Sequence, residues 1–370
     1  MQEIEILWHL IEQGRKGNNV GTSTGLPKLD KIIGGIQPSR YYLCSAASSA
    51  GKSSLIMFII YNILKQNTKD SPTYFLWFSL EIGSEVLLAK LMALYCAEEF
   101  GVYLTINDIL SFDTLLDDEN YQCLKKAKEW LVSVQEYLHI LDKALSSKVL
   151  YKETLQYVSK HGTIEEIDGK SRFIPNNPKQ KIIGVIDHIS LLMSTEGRSL
   201  KEEIDLTSSY MVSIKRKYQV SWFVLAQQNR ESSSMDRRKA DLSEPGLNDV
   251  KDSGNTVQDS DVVLQLFYPF REKLATYRDY KILGDNGLRD AFRSIIISKN
   301  RYGVANQVIG CSFYGSVGWF NEMPPGKEIT DFYKYQDEAN NIPCKIKKDN
   351  QIKDVEVVQK EQPQTISFKF

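Results

Sequence analysis

The sequence carries no excess of charge of either sign: 46 Lys and Arg stand against 47 Asp and Glu, a formal net charge of −1 over 370 residues. That balance excludes a chain that is basic all over, so any nucleic-acid site has to be a local patch. Histidine is scarce, with four residues that do not cluster, and the five cysteines (Cys44, Cys96, Cys123, Cys311, Cys344) show no CxxC spacing. A zinc framework is thereby excluded, and free thiols in a reducing compartment are expected. Long apolar runs are also missing. The longest, "SLIMFIIYNIL" at 54–64, is too short to cross a bilayer, which predicts a soluble protein without a membrane span. The first residues, "MQEIEILWHLIEQG", are acidic and amphipathic rather than basic and then apolar, so they do not read as a signal peptide.

What is present is ordinary globular material, 42% hydrophobic and 25% charged, enough for one large α/β domain with extensions. Residues 2–13 repeat apolar positions at helical spacing (Ile4, Leu7, Ile11, flanked by Ile6 and Leu10), and a polar, glycine-rich linker follows. This helix either packs on its own domain or docks on a neighbouring copy; its residues alone favour the former. From residue 40 on, apolar strand candidates (41–46, 73–79, 137–141, 182–187, 221–226, 261–267, 294–298, 307–313) alternate with helical stretches (52–66, 84–99, 118–135, 200–218). Continuous apolar strands between helices predict a mostly parallel sheet wrapped on both faces, and the short final connections predict an antiparallel finish. Residues 161–180, rich in charge, Gly, Pro and Asn, read as a loop insertion. The expected organisation is a linker helix at 1–20, a main domain at 21–325 and a charged, mobile tail at 326–370.

The densest chemistry lies in "AASSAGKSS", residues 46–54, between a strand candidate and an apolar helix candidate. That context is the one a phosphate-binding loop requires. Backbone N–H groups across Ser48, Ser49, Ala50, Gly51, Lys52 and Ser53, with Ser54 following, can wrap a phosphate at a helix N-terminus. Lys52 would reach the β- and γ-phosphates, and the Ser53 hydroxyl would ligate Mg²⁺. Such loops usually begin with glycine, where Ala46 stands here. Asp187 closes the strand "KIIGVID" and is placed to hold the metal's water shell, although an isolated Asp there also suits a helix cap. Glu81, after "YFLWFSL", is placed as a general base, and Gln227, after "FVLAQ", as an amide that senses the γ-phosphate. In "IIISKNRYG", 295–303, Lys299 and Arg301 are two apart on a strand and so share a face. They need an anion, and their own loop already has Lys52.

These blocks, with "TGLPKLDKIIGGIQPSRYYLCSAASSAGKSS", "FSLEIGSEVLLAKL", "VIDHISLLM", "LAQQNR", "DVKDSGNTVQDSDVVLQL" and "SKNRYG" in this order, resemble the DnaB-type replicative helicases over roughly 21–315. The resemblance implies a RecA-like P-loop NTPase that assembles as a hexameric ring, with ATP and Mg²⁺ between subunits and single-stranded DNA in the central channel. It implies translocation from 5′ to 3′ in the replisome, in a bacterial or phage-infected cytoplasm, with primase or other replisome proteins as partners. By the same likeness Glu81 is the catalytic glutamate, Lys52 and Ser53 the loop pair, Asp187 the metal aspartate and Gln227 the sensor. Lys299 and Arg301 match the pair that reaches a neighbour's γ-phosphate, and the helix at 2–13 matches a linker helix that swaps onto the adjacent subunit. Two channel loops fall within 229–256, where Arg230, Arg237, Arg238, Lys239, Lys251, Ser253 and Gly254 are the candidate DNA contacts; a solvated surface loop is the competing reading. That stretch has no aromatic residue, so base stacking is not expected to carry affinity. The chain departs from the pattern in having only residues 1–20 ahead of the motor, where a collar domain is usual, and in having His188 where tyrosine follows the metal aspartate. A pared-down, phage or mobile-element member is expected. The alternative activity is a RecA-like, DNA-dependent ATPase that does not unwind.

Overall fold

The computed structural model describes residues 2–17, 19–112, 115–167, 170–195, 197–229, 243–251, 254–285, 287–330 and 335. In chain order its first half comprises α1 (Gln2–Arg15), α2 (Pro27–Ile33), β1 (Tyr41–Ala46), α3 (Lys52–Gln66), β2 (Thr73–Ser79), α4 (Ser84–Phe100), α5 (Ile106–Ile109), α6 (Asp118–Val134), β3 (Leu138–Leu141) and α7 (Ser147–Val158). The second half comprises β4 (Gly162–Ile167), β5 (Lys170–Pro175), β6 (Lys181–Asp187), α8 (Leu200–Tyr218), β7 (Ser221–Gln227), α9 (Gly254–Asp259), β8 (Val262–Phe267), the short pair β9 (Thr276–Tyr277) and β10 (Tyr280–Lys281), β11 (Phe292–Asn300), β12 (Gln307–Tyr314) and β13 (Trp319–Glu322).

Nine strands form one sheet in the order β13-β12-β11-β8-β1-β7-β6-β2-β3. Strands from β8 through β3 run parallel, while β11, β12 and β13 are antiparallel, as the apolar runs and short late connections lead one to expect. The runs are continuous because both faces are covered. Leu55, Ile56 and Ile59 of α3 and Leu91 of α4 pack on one face; Ile204, Met211 and Ile214 of α8 and Leu150 of α7 pack on the other. Strand β1 lies between β7 and β8; the chain leaves β1 through α3 toward β2 on one side, whereas β7 connects to β8 on the other, so the direction of winding reverses beside β1. In an open α/β sheet, ligands gather beyond the carboxyl ends of strands at such a point.

Two expectations need correction. Residues 161–180 are not a plain loop: β4 and β5 pair antiparallel from Gly162↔Pro175 to Ile167↔Lys170. An Asp168-Gly169 pair stands between them in the sequence, a strong hairpin signal that charge and Pro content obscured. Phe173 anchors the hairpin against Tyr218, with ring centroids 6.4 Å apart. Nor does α1 pack on its own domain: Ile4, Leu7, Trp8 and Leu10 are each more than half exposed. Beyond the expected boundary at 325, Gly326 and Ile329 are still buried, while most of the 326–370 tail, including its "QTISFKF" end, lies outside the described residues. Cys44, Cys96, Cys123 and Cys311 are free and buried, and among the described residues no helix is long and apolar enough to cross a membrane.

Gly184 shows how tightly β6 and β7 approach. A Cβ on it would lie 2.2 Å from the Trp222 ring, which is fully buried and donates from Nε1 to the Met211 carbonyl at 3.2 Å. Gly184→Ala should therefore cost about 1–3 kcal/mol of stability through overpacking, read as an earlier midpoint in thermal or urea unfolding; an unchanged midpoint would refute the packing account.

Candidate nucleotide site and its opposite edge

Loop 46–54 leaves β1 and enters α3 through Gly51, whose φ of +100° is open to glycine and strained for other residues. A Cβ there would also press on the Phe313 ring at 3.0 Å. Two arginines hold the loop's carbonyls, Arg293 from the start of β11 and Arg271 from the segment after β8. Arg293 Nε donates to the Ala50 carbonyl at 2.9 Å, and Arg271 donates to that of Ser48. Arg293 is buried, with its guanidinium 3.5 Å from the Tyr268 ring centroid, and burial lowers its pKa from the ordinary value. Neither arginine stood out in the sequence, because the loop that each one meets is more than 200 residues away in the chain.

A cavity of about 320 Å³ opens on this loop, lined by Ala46, Ala47, Ser48, Ser49, Gly51, Lys52, Ser53, Ser54, Glu81 and Gln227. Lys52 Nζ lies 3.3 Å from Asp187 Oδ1, and both residues are buried. Glu81 follows β2, whose end is tied to β6 by the Leu80 N–H donating to the Asp187 carbonyl at 2.8 Å. Gln227 ends β7 in register with Ala46. The structure thus brings together Lys52, Ser53, Glu81, Asp187 and Gln227, taken from four strand ends. His188, not assigned a task from sequence, sits among them: its Nε2 is 3.2 Å from Gln227 Nε2 and 3.9 Å from Glu81 Oε2. Burial first, and then the Lys52 ammonium, hold its imidazole below the usual pKa, against the opposing pull of Glu81 and Asp187.

Lys299 and Arg301 are not in this cavity. Strand β11 begins beside the loop, where Arg293 meets Ala50, and ends at the other edge of the sheet. Eight residues of strand separate the two places by roughly 25 Å. There Lys299 Nζ donates to the carbonyls of Val257 and Gln258 at 2.7 and 2.9 Å, and Arg301 Nη1 meets Asp261 Oδ1 at 3.0 Å. Asp261 is fully buried and also takes Lys215 Nζ at 2.6 Å and the Tyr41 N–H at 2.9 Å. Of the candidate DNA contacts, Arg230, Arg237, Arg238, Lys239 and Ser253 lie outside the described residues. Gly254 opens α9, and the Lys251 N–H donates to the Gln227 carbonyl at 2.8 Å.

A glycine-gated loop at a helix N-terminus, a buried Lys–Asp pair and a carboxylate and an amide at adjoining strand ends, on a parallel sheet with an antiparallel wing, define the RecA-like class of P-loop NTPase folds. Within that class, residues 21–322 match the family model described as "DnaB-like helicase C terminal domain", and the chain belongs to that family. Similar curated proteins include the replicative DNA helicase DnaB of Helicobacter pylori, 26% identical over 261 residues, which cover 70% of this chain and 46% of the relative. The replicative DNA helicase DnaC of Bacillus subtilis is 27% identical over 262 residues, 70% of this chain and 50% of the relative. The chain thus spans about half the length of these relatives. Among solved structures, one described as an ATPase domain superposes with a TM-score of 0.68 at 19% identity, covering 87% of this chain and 98% of that one. A DnaB-like replicative helicase studied with primase gives 0.65 at 20% identity, covering 86% and 66%. At these identities the two structures establish the fold.

Removing the Asp261 charge strands the cations that share it. Asp261→Asn leaves Lys215 buried with a neutral partner and should cost about 3–5 kcal/mol. Calorimetry on this variant and on Asp261→Leu/Lys215→Met should show the double replacement recovering most of the loss; equal losses in both would overturn the ion-pair account.

Proposed function

We propose that the chain is the motor of an ATP-driven DNA helicase, a hexameric ring that moves along single-stranded DNA from 5′ to 3′ by hydrolysing ATP between subunits. The observation that carries this reading is the cavity shared by Lys52, Ser53, Glu81 and Gln227, with Asp187 held against Lys52. The donor set fits a hard divalent cation: the Ser53 hydroxyl and the Asp187 carboxylate supply oxygen, and among the described residues no group of His, Cys, Asp and Glu is arranged as another metal site. With Mg²⁺ bound, charge on the β- and γ-phosphates is partly neutralised. The chain's own residues do the rest. Lys52 exchanges Asp187 for phosphate oxygens, the loop N–H groups hold the β-phosphate, Glu81 takes a proton from the attacking water, and the Gln227 amide orients at the γ-phosphate.

Two features support hydrolysis across a subunit boundary. The roughly 25 Å along β11 keep Lys299 and Arg301 from their own loop, so a γ-phosphate that they stabilise belongs to another copy. The exposed apolar face of α1, with Ile4, Leu7, Trp8 and Leu10, is a surface that such a copy can cover. For DNA, the sequence offers Arg230, Arg237, Arg238, Lys239 and Lys251 as candidate phosphate contacts in a chain of formal net charge −1. The Lys251 N–H donates to the Gln227 carbonyl, which ties the last of these candidates to the proposed sensor.

The test is ATPase activity with and without single-stranded DNA, together with displacement of a strand from a forked duplex. DNA-stimulated hydrolysis without displacement would replace the helicase reading with that of a non-unwinding RecA-like ATPase. Glu81→Gln should lower kcat by about 10²–10⁴-fold with ATP still bound. Arg301→Ala should lower it about 10³-fold or more while ATP binding and ring formation persist. Its fold should survive, since Lys215 continues to pair with Asp261. Mixing Glu81→Gln subunits with Arg301→Ala subunits should restore some activity, because one kind of boundary then has both groups intact. Absence of any recovery would remove the trans assignment.

A further inference from the structure

His188 is the buried polar group of the pocket to which the reading above gives no task. Its ring is 4% exposed, and its Nδ1 is buried without a partner among the described residues. Its Nε2 has two claimants: the Gln227 amide nitrogen at 3.2 Å and the Glu81 carboxylate at 3.9 Å. A neutral imidazole offers one donor and one acceptor, an amide NH₂ needs an acceptor, and a carboxylate needs a donor. One nitrogen cannot satisfy both at once. In the arrangement seen, the amide is within hydrogen-bond range and the carboxylate is beyond it. Glu81 is half exposed and makes no hydrogen bond among the described residues.

We propose that His188 is a positioning residue that couples the Gln227 amide to the Glu81 carboxylate. While the amide rests on Nε2, the ring cannot donate to Glu81. When the amide turns to a γ-phosphate, Nε2 is vacated. That edge of the imidazole is then open to the Glu81 carboxylate, 3.9 Å away. The sensor and the base are thereby set in the same event. This inference rests on reading the pocket as an ATPase site.

The experiment is a pair of double-mutant cycles, scored by ATPase kcat and KM with single-stranded DNA and by equilibrium binding of a fluorescent ATP analogue. His188→Leu should lower kcat by between about ten- and a hundredfold, with KM and analogue binding changed by no more than about twofold. Adding His188→Leu to Gln227→Ala, or to Glu81→Gln, should then cost little beyond the partner's own loss, since the ring acts through those groups. His188→Asn, which keeps a polar atom near the vacated position, should recover part of the rate, and it carries both cycles if the leucine variant fails to fold. Full additivity in both cycles, or a loss of analogue binding equal to the loss of kcat, would show that the ring is only a wall of the pocket. If the wild-type chain hydrolyses no ATP, the ATPase reading itself fails; wild-type activity with additive cycles overturns only the coupling.

Discussion

A buried ammonium and a buried carboxylate 3.3 Å apart organise this molecule. Either charge alone would be costly in the interior, so Lys52 and Asp187 have to meet. Their meeting requires the turn from β1 into α3 and the end of β6 to share one sheet edge. Parallel pairing then brings other strand ends to the same place. Ser79 aligns with Asp187, which carries Glu81 to the pocket mouth, and Gln227 aligns with Ala46, which brings the amide beside the loop. Four chemical groups converge because four strands run in the same direction.

The antiparallel wing does the opposite, and the difference matters for assembly. Strand β11 starts at the loop edge and ends at the far edge, so its two ends carry cations to opposite sides of the sheet. Arg293 turns inward to hold a loop carbonyl, while Arg301 is half exposed beside Asp261. Asp261 is shared with Lys215, which is buried, so it keeps a cation when the Arg301 head group moves. A buried carboxylate with one partner would hold that partner in place. With two partners, the exposed one can leave at a modest cost. This is the electrostatic condition that the proposed role of Arg301 on a neighbouring copy requires.

Much of this was legible from residues because the governing patterns are local. Continuous apolar runs marked eight of the nine sheet strands to within a few residues, the short β13 being missed, and the loop at 46–54 is specific in its strand–loop–helix setting. What was not legible depends on three-dimensional neighbours. The hairpin of β4 and β5 was hidden by composition, since its strands are charged and Phe173 is the large side chain that it is seen to bury. The loop-holding roles of Arg271 and Arg293 depend on the end of β8 and the start of β11 lying at the same sheet edge as the end of β1. The place of His188 between Gln227 and Glu81 depends on the β6–β7 pairing, which local spacing does not encode. Helix α7 was not anticipated either, because its apolar positions cover one face of the sheet rather than forming a long periodic run.

The hydrogen bond from the Lys251 N–H to the Gln227 carbonyl gives these parts a common direction. Gln228 also bridges to Val250, and the Asn229 N–H donates to the Asp249 carbonyl at 2.7 Å, so the segment 249–251 lies along the end of β7 like a short extra strand. Lys251 and Gln227 are therefore joined main chain to main chain, with Gln227 lining the pocket. If Lys251 meets a nucleic-acid phosphate and Gln227 meets a γ-phosphate, as proposed, one hydrogen bond separates the two contacts, and because coupling between two ligands is reciprocal, each would change the other's binding by the same factor.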